Sequence, residues 1–376
     1  MSNQYLSFKQ VAALIKAVGH KRTVIVKGEN GSGKTALHAH LCNDPQFENH
    51  NKIKPIECTQ MNDGSMFMPD IDREAGVSRE LPNERMGVSK FNQRGVNGSR
   101  PVLGMFDEIA KVPQFVKNMI APLLYERRVG PYALPEGSVW FAATNLAFEG
   151  LGDTMQAHLR NRLVIVSMRK AYMAEWMNDF AVPNKLHPVL LACCEEHPMV
   201  FDSFIDYLPG GKFEGRSVEK DNPHIFNPAI AQDAYASLRS LHAASDVLYG
   251  ADECGLDSDT LRLALEGTVG VSFTSVLMSF IRFGQMLPPI SQVKANPDTV
   301  ALPSSKIAQQ VQVFQLINRT ADRDDAAAFT KYIKRLHPEI QQLFVRRVSE
   351  SSMVGTFATV TEFGQMLADN RIYFKV

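Results

Sequence analysis

Hydrophobic positions are spaced in two ways along this chain. Up to about residue 170 they gather in short unbroken runs divided by glycine and proline, and beyond Met168 they recur at helical intervals. The runs Thr23-Val24-Ile25-Val26, Val102-Leu103-Gly104-Met105-Phe106, Val139-Trp140-Phe141-Ala142-Ala143 and Leu163-Val164-Ile165-Val166 lack polar alternation, as expected of strands buried on both faces of a parallel sheet. Lys54-Pro55-Ile56-Glu57-Cys58 reads as a further strand. Ser7-Phe8-Lys9-Gln10 has the form of a capping box with Leu6 and Val11 as its staple, and Phe8, Val11, Leu14, Ile15 and Val18 continue one apolar helical face. Helical spacing also covers 36–41, stopped by Asn43-Asp44-Pro45, and 114–128. Strands interleaved with helices predict an α/β first half.

The pattern fails between about residues 59 and 100, where Met66-Phe67-Met68-Pro69, several glycines and Arg79, Arg85, Lys90, Arg94 and Arg100 follow one another without a period. A connection this long inside a compact domain is either functional or a surface insertion folded back on the body. In the second half the spacing predicts helices over 171–180, 187–196, 227–249, 258–283, 304–316 and 324–348, with a short helix and tail over 359–374. Breaks at Pro209-Gly210-Gly211, Pro288-Pro289 and Asn296-Pro297 separate them. There is no internal repeat and no sustained apolar heptad, so a coiled coil is not expected.

Length and composition narrow the class. At 376 residues the chain exceeds one ordinary core, so more than one packed unit is expected. Hydrophobic residues at 45% and charged residues at 21% are those of a globular protein. No apolar run is long enough to span a bilayer and the N-terminus lacks the signal pattern, so no membrane association and a cytoplasmic location are expected. Forty basic residues balance forty acidic ones, which argues against a general polyanion binder. Cys42, Cys58, Cys193, Cys194 and Cys254 show no metal-site spacing and read as reduced thiols, with the adjacent Cys193 and Cys194 as helix packing.

The candidate chemistry lies at the ends of the apolar runs. Gly28-Glu29-Asn30-Gly31-Ser32-Gly33-Lys34-Thr35 follows the first strand and precedes the helical run from Ala36, giving the G-x-x-x-x-G-K-[ST] pattern in its strand–turn–helix setting. Glycines there let successive N–H groups converge on phosphate, while Lys34 reaches the β- and γ-phosphates and Thr35 offers a hydroxyl to Mg²⁺. Residues 28–36, Ala36 included, are therefore the candidate nucleotide contacts. The run Val102–Phe106 ends in Asp107-Glu108, the Walker B form: Asp107 can hold Mg²⁺ through water, joining Thr35 as a metal candidate, and Glu108 can polarise the attacking water. Thr144-Asn145 ends the next strand, where Asn145 can orient that water or contact the γ-phosphate, or merely satisfy a turn. Arg160 and Arg162 precede the last strand; either can act as an arginine finger toward a neighbouring subunit or serve as an ordinary ion-pair residue.

Taken together, residues 28–35, Met105-Phe106-Asp107-Glu108, Leu123-Leu124-Tyr125-Glu126-Arg127-Arg128-Val129-Gly130-Pro131-Tyr132-Ala133-Leu134-Pro135, Phe141-Ala142-Ala143-Thr144-Asn145 and Leu159-Arg160-Asn161-Arg162-Leu163 resemble the MoxR-type branch of the AAA+ ATPases, and more closely its bacteriophage-encoded members. The resemblance covers about residues 1–170 well; Lys185-Leu186-His187-Pro188 and the helical half follow it more loosely. It implies an AAA+ P-loop NTPase core with a five-stranded parallel sheet over 1–170, with a helix-two insertion within about 61–100. An all-α lid and C-terminal helices then fill 171–376. It also implies ATP and Mg²⁺ as cofactors, a homo-oligomeric ring, commonly a hexamer, with ATP between subunits, and a protein client or von Willebrand-type partner. One position departs from the family: the lid arginine expected after Asn227-Pro228 is Ala229, so either another lid residue such as Arg239 takes its place or nucleotide sensing by the lid is weakened.

Three functions follow from these residues: a ring ATPase that remodels a protein, a nucleic-acid motor or loader, and a slowly hydrolysing nucleotide-dependent scaffold. The arginines between Arg79 and Arg100 keep the second open, while the neutral total charge and the lack of an appended DNA-binding motif count against it. Ala229 alone recommends the third.

Overall fold

The computed structural model describes residues 5–62, 64–89, 91–95, 98–146, 161–207, 222–227 and 230–370, and the chain divides into two units, Met1–Lys170 and Ala171–Val376. In the first unit the strands are β1 (Tyr5–Leu6), β2 (Val24–Gly28), β3 (Asn51–Lys52), β4 (Ile56–Glu57), β5 (Phe67–Asp72), β6 (Val77–Pro82), β7 (Val102–Asp107), β8 (Arg128–Val129), β9 (Tyr132–Ala133), β10 (Val139–Asn145) and β11 (Val164–Met168). The helices are α1 (Phe8–Val18), α2 (Ala36–Cys42) and α3 (Gln114–Glu126). A parallel sheet runs in the order β1-β11-β2-β10-β7-β3, with β4 also on β7.

The apolar runs become central strands because both faces of each are covered. On one face Val24 and Val26 of β2, Leu103 and Met105 of β7 and Val139, Phe141 and Ala143 of β10 pack with Val11 and Ile15 of α1 and Leu37 and Leu41 of α2. On the other, Ile25, Phe106, Trp140 and Ala142 pack with Val116, Ile120, Leu123 and Leu124 of α3. The alternation of strand side chains thus feeds two apolar layers at once. Gly104 is required where these strands meet, since a Cβ there would lie 2.6 Å from the Trp140 ring.

The strand order places β10 between β2 and β7, and the chain crosses from one side of β2 to the other on reaching β11. Such a switch point opens a crevice at the carboxyl ends of the strands, the usual ligand position in an open α/β sheet. Four of the five expected strand places are filled by β11, β2, β10 and β7. The fifth is divided between β3 and β4, with Pro55 between them, because proline has no N–H to give the ladder. β1 adds an edge strand on β11, so the sheet has seven strands rather than five.

Residues 59–100 are not irregular throughout. β5 and β6 form an antiparallel hairpin with Met68 opposite Leu81 and Asp70 opposite Arg79. Pro69, Asp70 and Asp72 are poor strand formers and hide it in the sequence. Met68, Ile71, Val77 and Leu81 of the hairpin are exposed.

The second unit is helical among its described residues. The helix Pro188–Glu196 is buried from Pro188 to Cys194 and shares one core with Lys306–Arg319, Val271–Gly284 and Leu238–Cys254. Cys193 and Cys194 are packing residues there, and burial pushes both thiols up. Fully buried Arg347 binds Glu195 Oε2 at 2.6 Å and Asn178 Oδ1 at 2.9 Å.

Several helices depart from the expected bounds. The helix expected from 227 begins only at Leu238, where Ser237 accepts the Ser240 N–H as N-cap. The stretch 258–283 breaks at Gly270 (φ 82) into Ser258–Val269 and Val271–Gly284. The stretch 324–348 breaks before Pro338 into Arg323–Ile333 and Pro338–Ser349. At 171–180 one α-turn, Met173–Trp176, passes into the π-turn Met177–Ala181. Residues 371–374 of the expected tail lie outside the described residues. No helix among the described residues is long and apolar enough to cross a membrane.

Candidate active site

The loop between β2 and α2 turns on Gly31 (φ 70) and Gly33 (φ 92), backbone that residues with a Cβ adopt only under strain. Glu29, Ser32 and Lys34 are buried within it. Lys34 Nζ donates to the carbonyls of Gly28 at 2.9 Å and Glu29 at 2.7 Å, so the ammonium lies over the loop that carries it. The Ser32 hydroxyl is buried without a hydrogen-bond partner among the described residues. A buried polar atom in this state costs stability unless something else bonds it.

Thr35 occupies the N-cap of α2 but does not cap it. Its hydroxyl instead donates to Asp107 Oδ2 at 2.6 Å, and Asp107 Oδ1 accepts the Glu108 N–H at 3.0 Å. Glu108 is one of the few residues with a side chain in left-handed backbone (φ 55, ψ 37), and its carboxylate pairs with Lys111 Nζ at 2.5 Å. Strain of this kind is held where surrounding structure over-determines it and concentrates at functional positions. Asn145 ends β10 in register with Gly28, the last residue of β2, and is half-buried. Thus Lys34, Thr35, Asp107, Glu108 and Asn145 share the carboxyl edge of the sheet. Cys58 lies just beneath: burial, and secondarily the charges of Asp107, Glu57 and Glu108, push its thiol up to about 12.

Arg162 lies elsewhere. It precedes β11, whose Val164 is in register with Val24 at the start of β2, so it stands at the amino edge of the sheet. The length of β2, about 13 Å at the strand rise, separates that edge from the phosphate loop. Its guanidinium lies over the Tyr125 ring at 5.7 Å. Arg160 and Ala229 lie outside the described residues.

Two neighbours of these groups were not foreseen. Lys111 follows Glu108 by three residues, a spacing that could have suggested the pair only had the turn there been known. Tyr125 meets Arg162 through the fold, and no local signal joins them.

Neither a family model nor a curated protein sequence matches the chain. Among solved structures it is similar to NtrX from Brucella abortus in complex with ADP, at 14% identity over 97% of this chain and 67% of that one with a TM-score of 0.37. It is also similar to a point mutant of RuvB from Thermotoga maritima, at 11% identity over 77% of this chain and 73% of that one, TM-score 0.34. A DNA polymerase III gamma subunit-related protein from Thermotoga maritima gives 12% identity over 98% and 99% of the two chains, TM-score 0.34. Likeness this distant carries no activity across, and the chemistry rests on the residues of this chain.

Proposed function

We propose that this chain is an ATP-hydrolysing P-loop ATPase of the AAA+ type that assembles with copies of itself into a ring and remodels a protein partner. The observation that carries this reading is the 2.6 Å hydrogen bond from Thr35 to Asp107, which ties the phosphate loop to β7 across the end of β10, where Asn145 sits. A phosphate loop with an acidic strand end beside it, and a polar residue on the strand between, is an arrangement suited to hydrolysis rather than to binding alone.

The residues fit the groups the sequence implies. The buried Ser32 hydroxyl and the backbone of residues 28–36 suit phosphate oxygens. The Thr35 hydroxyl and the Asp107 carboxylate are hard oxygen donors already side by side, as Mg²⁺ requires. Mg²⁺ bound there with ATP would neutralise charge on the β- and γ-phosphates. Lys34 would turn from the Gly28 and Glu29 carbonyls to the phosphates, Glu108 would accept a proton from the attacking water, and Asn145 would orient that water.

Arg162, at the amino edge, is poorly placed for the phosphates of its own chain, which supports a role toward those of a neighbour. An intersubunit site of this kind favours a ring, commonly a hexamer in the family the sequence resembles. In this reading residues 1–170 are the nucleotide-binding core and 171–376 the lid and C-terminal helices. The β5–β6 hairpin is the helix-two insertion within 61–100, and the exposed Met68, Ile71, Val77 and Leu81 suit a protein client or von Willebrand-type partner better than a polyanion. Arg79 is paired with Asp72, and Arg100 donates to the carbonyls of Asn49 and His50, which weakens the nucleic-acid alternative.

Steady-state hydrolysis by the full chain, compared with Glu108→Gln, tests the reading. Phosphate release should fall by about a hundredfold or more while ATP affinity changes by less than about threefold. Equal and negligible rates in both would favour the scaffold reading. Capture by the Glu108→Gln protein with ATP should retain a protein; DNA alone would favour the motor.

A further inference from the structure

Arg162 is exposed at the end of a turn, where a long side chain would sample many rotamers. An arginine that must meet a phosphate on another subunit gains from being held in one of them. Among the described residues, the Tyr125 ring offers an aromatic face to its guanidinium, 5.7 Å from centroid to the central carbon and within cation–π range.

The ring is itself fixed. Tyr125 belongs to the last turn of α3 and packs against the apolar layer under the sheet, the layer against which Leu163 and Ile165 also pack. Immediately after it the chain is clamped by Arg127, buried in left-handed backbone (φ 54). Arg127 donates to the carbonyls of Leu123 at 3.2 Å and Leu124 at 2.7 Å, to Thr23 Oγ1 at 2.6 Å and to the Gly19 carbonyl at 2.7 Å. The end of α3 is thereby pinned to the end of α1 and the start of β2. The Tyr125 hydroxyl is buried with no hydrogen-bond partner among the described residues, so the face of the ring, not its hydroxyl, does the work.

We propose that Tyr125 is a positioning residue for Arg162, holding the guanidinium by cation–π contact in the orientation in which it meets the phosphates bound by a neighbouring copy. This rests on the ATPase reading above. In this role Tyr125 acts only through Arg162.

The test is steady-state ATP hydrolysis by the full-length chain carrying Tyr125→Phe, Tyr125→Leu, Arg162→Ala or both Tyr125→Leu and Arg162→Ala, with KM and the thermal midpoint measured for each. Tyr125→Phe keeps the aromatic face and should stay within about twofold of the parent in kcat. Tyr125→Leu should lower kcat by about threefold to thirtyfold with KM little changed, the fold-change of a lost cation–π contact. The double variant should be no slower than Arg162→Ala, because a platform has no effect once its arginine is gone. Equal losses in Tyr125→Phe and Tyr125→Leu, or a double variant slower than Arg162→Ala by the full Tyr125→Leu factor, would overturn the proposal. A fall in thermal midpoint accompanied by a rise in KM would also overturn it, by showing a structural role. If Arg162→Ala hydrolyses as fast as the parent, the finger reading itself fails; if it is slow while Tyr125→Leu is not, only the platform fails.

Discussion

Glu108 is held at φ 55 and ψ 37 with its carboxylate on Lys111, an arrangement a side-chain-bearing residue enters at a cost of about 1–2 kcal/mol. If the position is kept for chemistry rather than stability, Glu108→Gly should be more stable than Glu108→Ala by about 1 kcal/mol in urea unfolding, and both should be inactive. A stability order with alanine above glycine would show that the strain is absent. Lys34→Ala should weaken ATP binding by about a hundredfold or more in an equilibrium titration, since the ammonium is the principal cation of the loop. At this scale the phosphate loop, Asp107 and Glu108 stand out in the sequence as candidates because each motif is contiguous and follows an apolar run. Lys111 and Tyr125 were not, because their partners are set by a turn geometry and by packing.

The elements explain how those residues are delivered. Strand ends carry Gly28, Asp107 and Asn145 to one edge because β2, β7 and β10 are buried in parallel and in register. Gly104 lets β7 and β10 approach under Trp140, and Gly104→Ala should cost about 1–3 kcal/mol by overpacking. Arg127 bonds only a hydroxyl and backbone carbonyls in the described structure, and burial lowers its pKa to about 10. Arg127→Met should destabilise by about 2–4 kcal/mol, because the Gly19 and Leu124 carbonyls lose their charged donor. Chemical denaturation of each variant checks both figures. Central strands and the capped α1 were readable from pattern, and the Ser7–Gln10 box forms as expected. The β5–β6 hairpin was not, because proline and aspartate interrupt it. The late start of Leu238–Cys254 was missed because apolar spacing over 227–237 imitates a helix that the chain does not form in its described part.

At the scale of the molecule, acid should destabilise both units through their histidines. Burial lowers the pKa of His38 and His50 in the first unit and of His187 and His224 in the second below the ordinary 6.5. The unfolded chain therefore takes up protons near pH 6.5 while the folded chain does not, and stability falls as pH drops from about 6.5 toward the folded values. His187→Gln should flatten this slope in thermal melts between about pH 7 and 5; an unchanged slope would remove His187 from the account. The division at Lys170 follows the switch from strand runs to helical spacing that the sequence already displays. Arg162 stands at the amino edge of the sheet, opposite the phosphate loop of its own chain. The most direct measurement is ATP hydrolysis by mixtures of Glu108→Gln and Arg162→Ala, each of which the account expects to be nearly inactive alone. An intersubunit site predicts that mixing restores activity, because the intact catalytic edge of one is met by the intact arginine of the other. Mixtures no more active than their separate components, while rings containing both chains form, would contradict it.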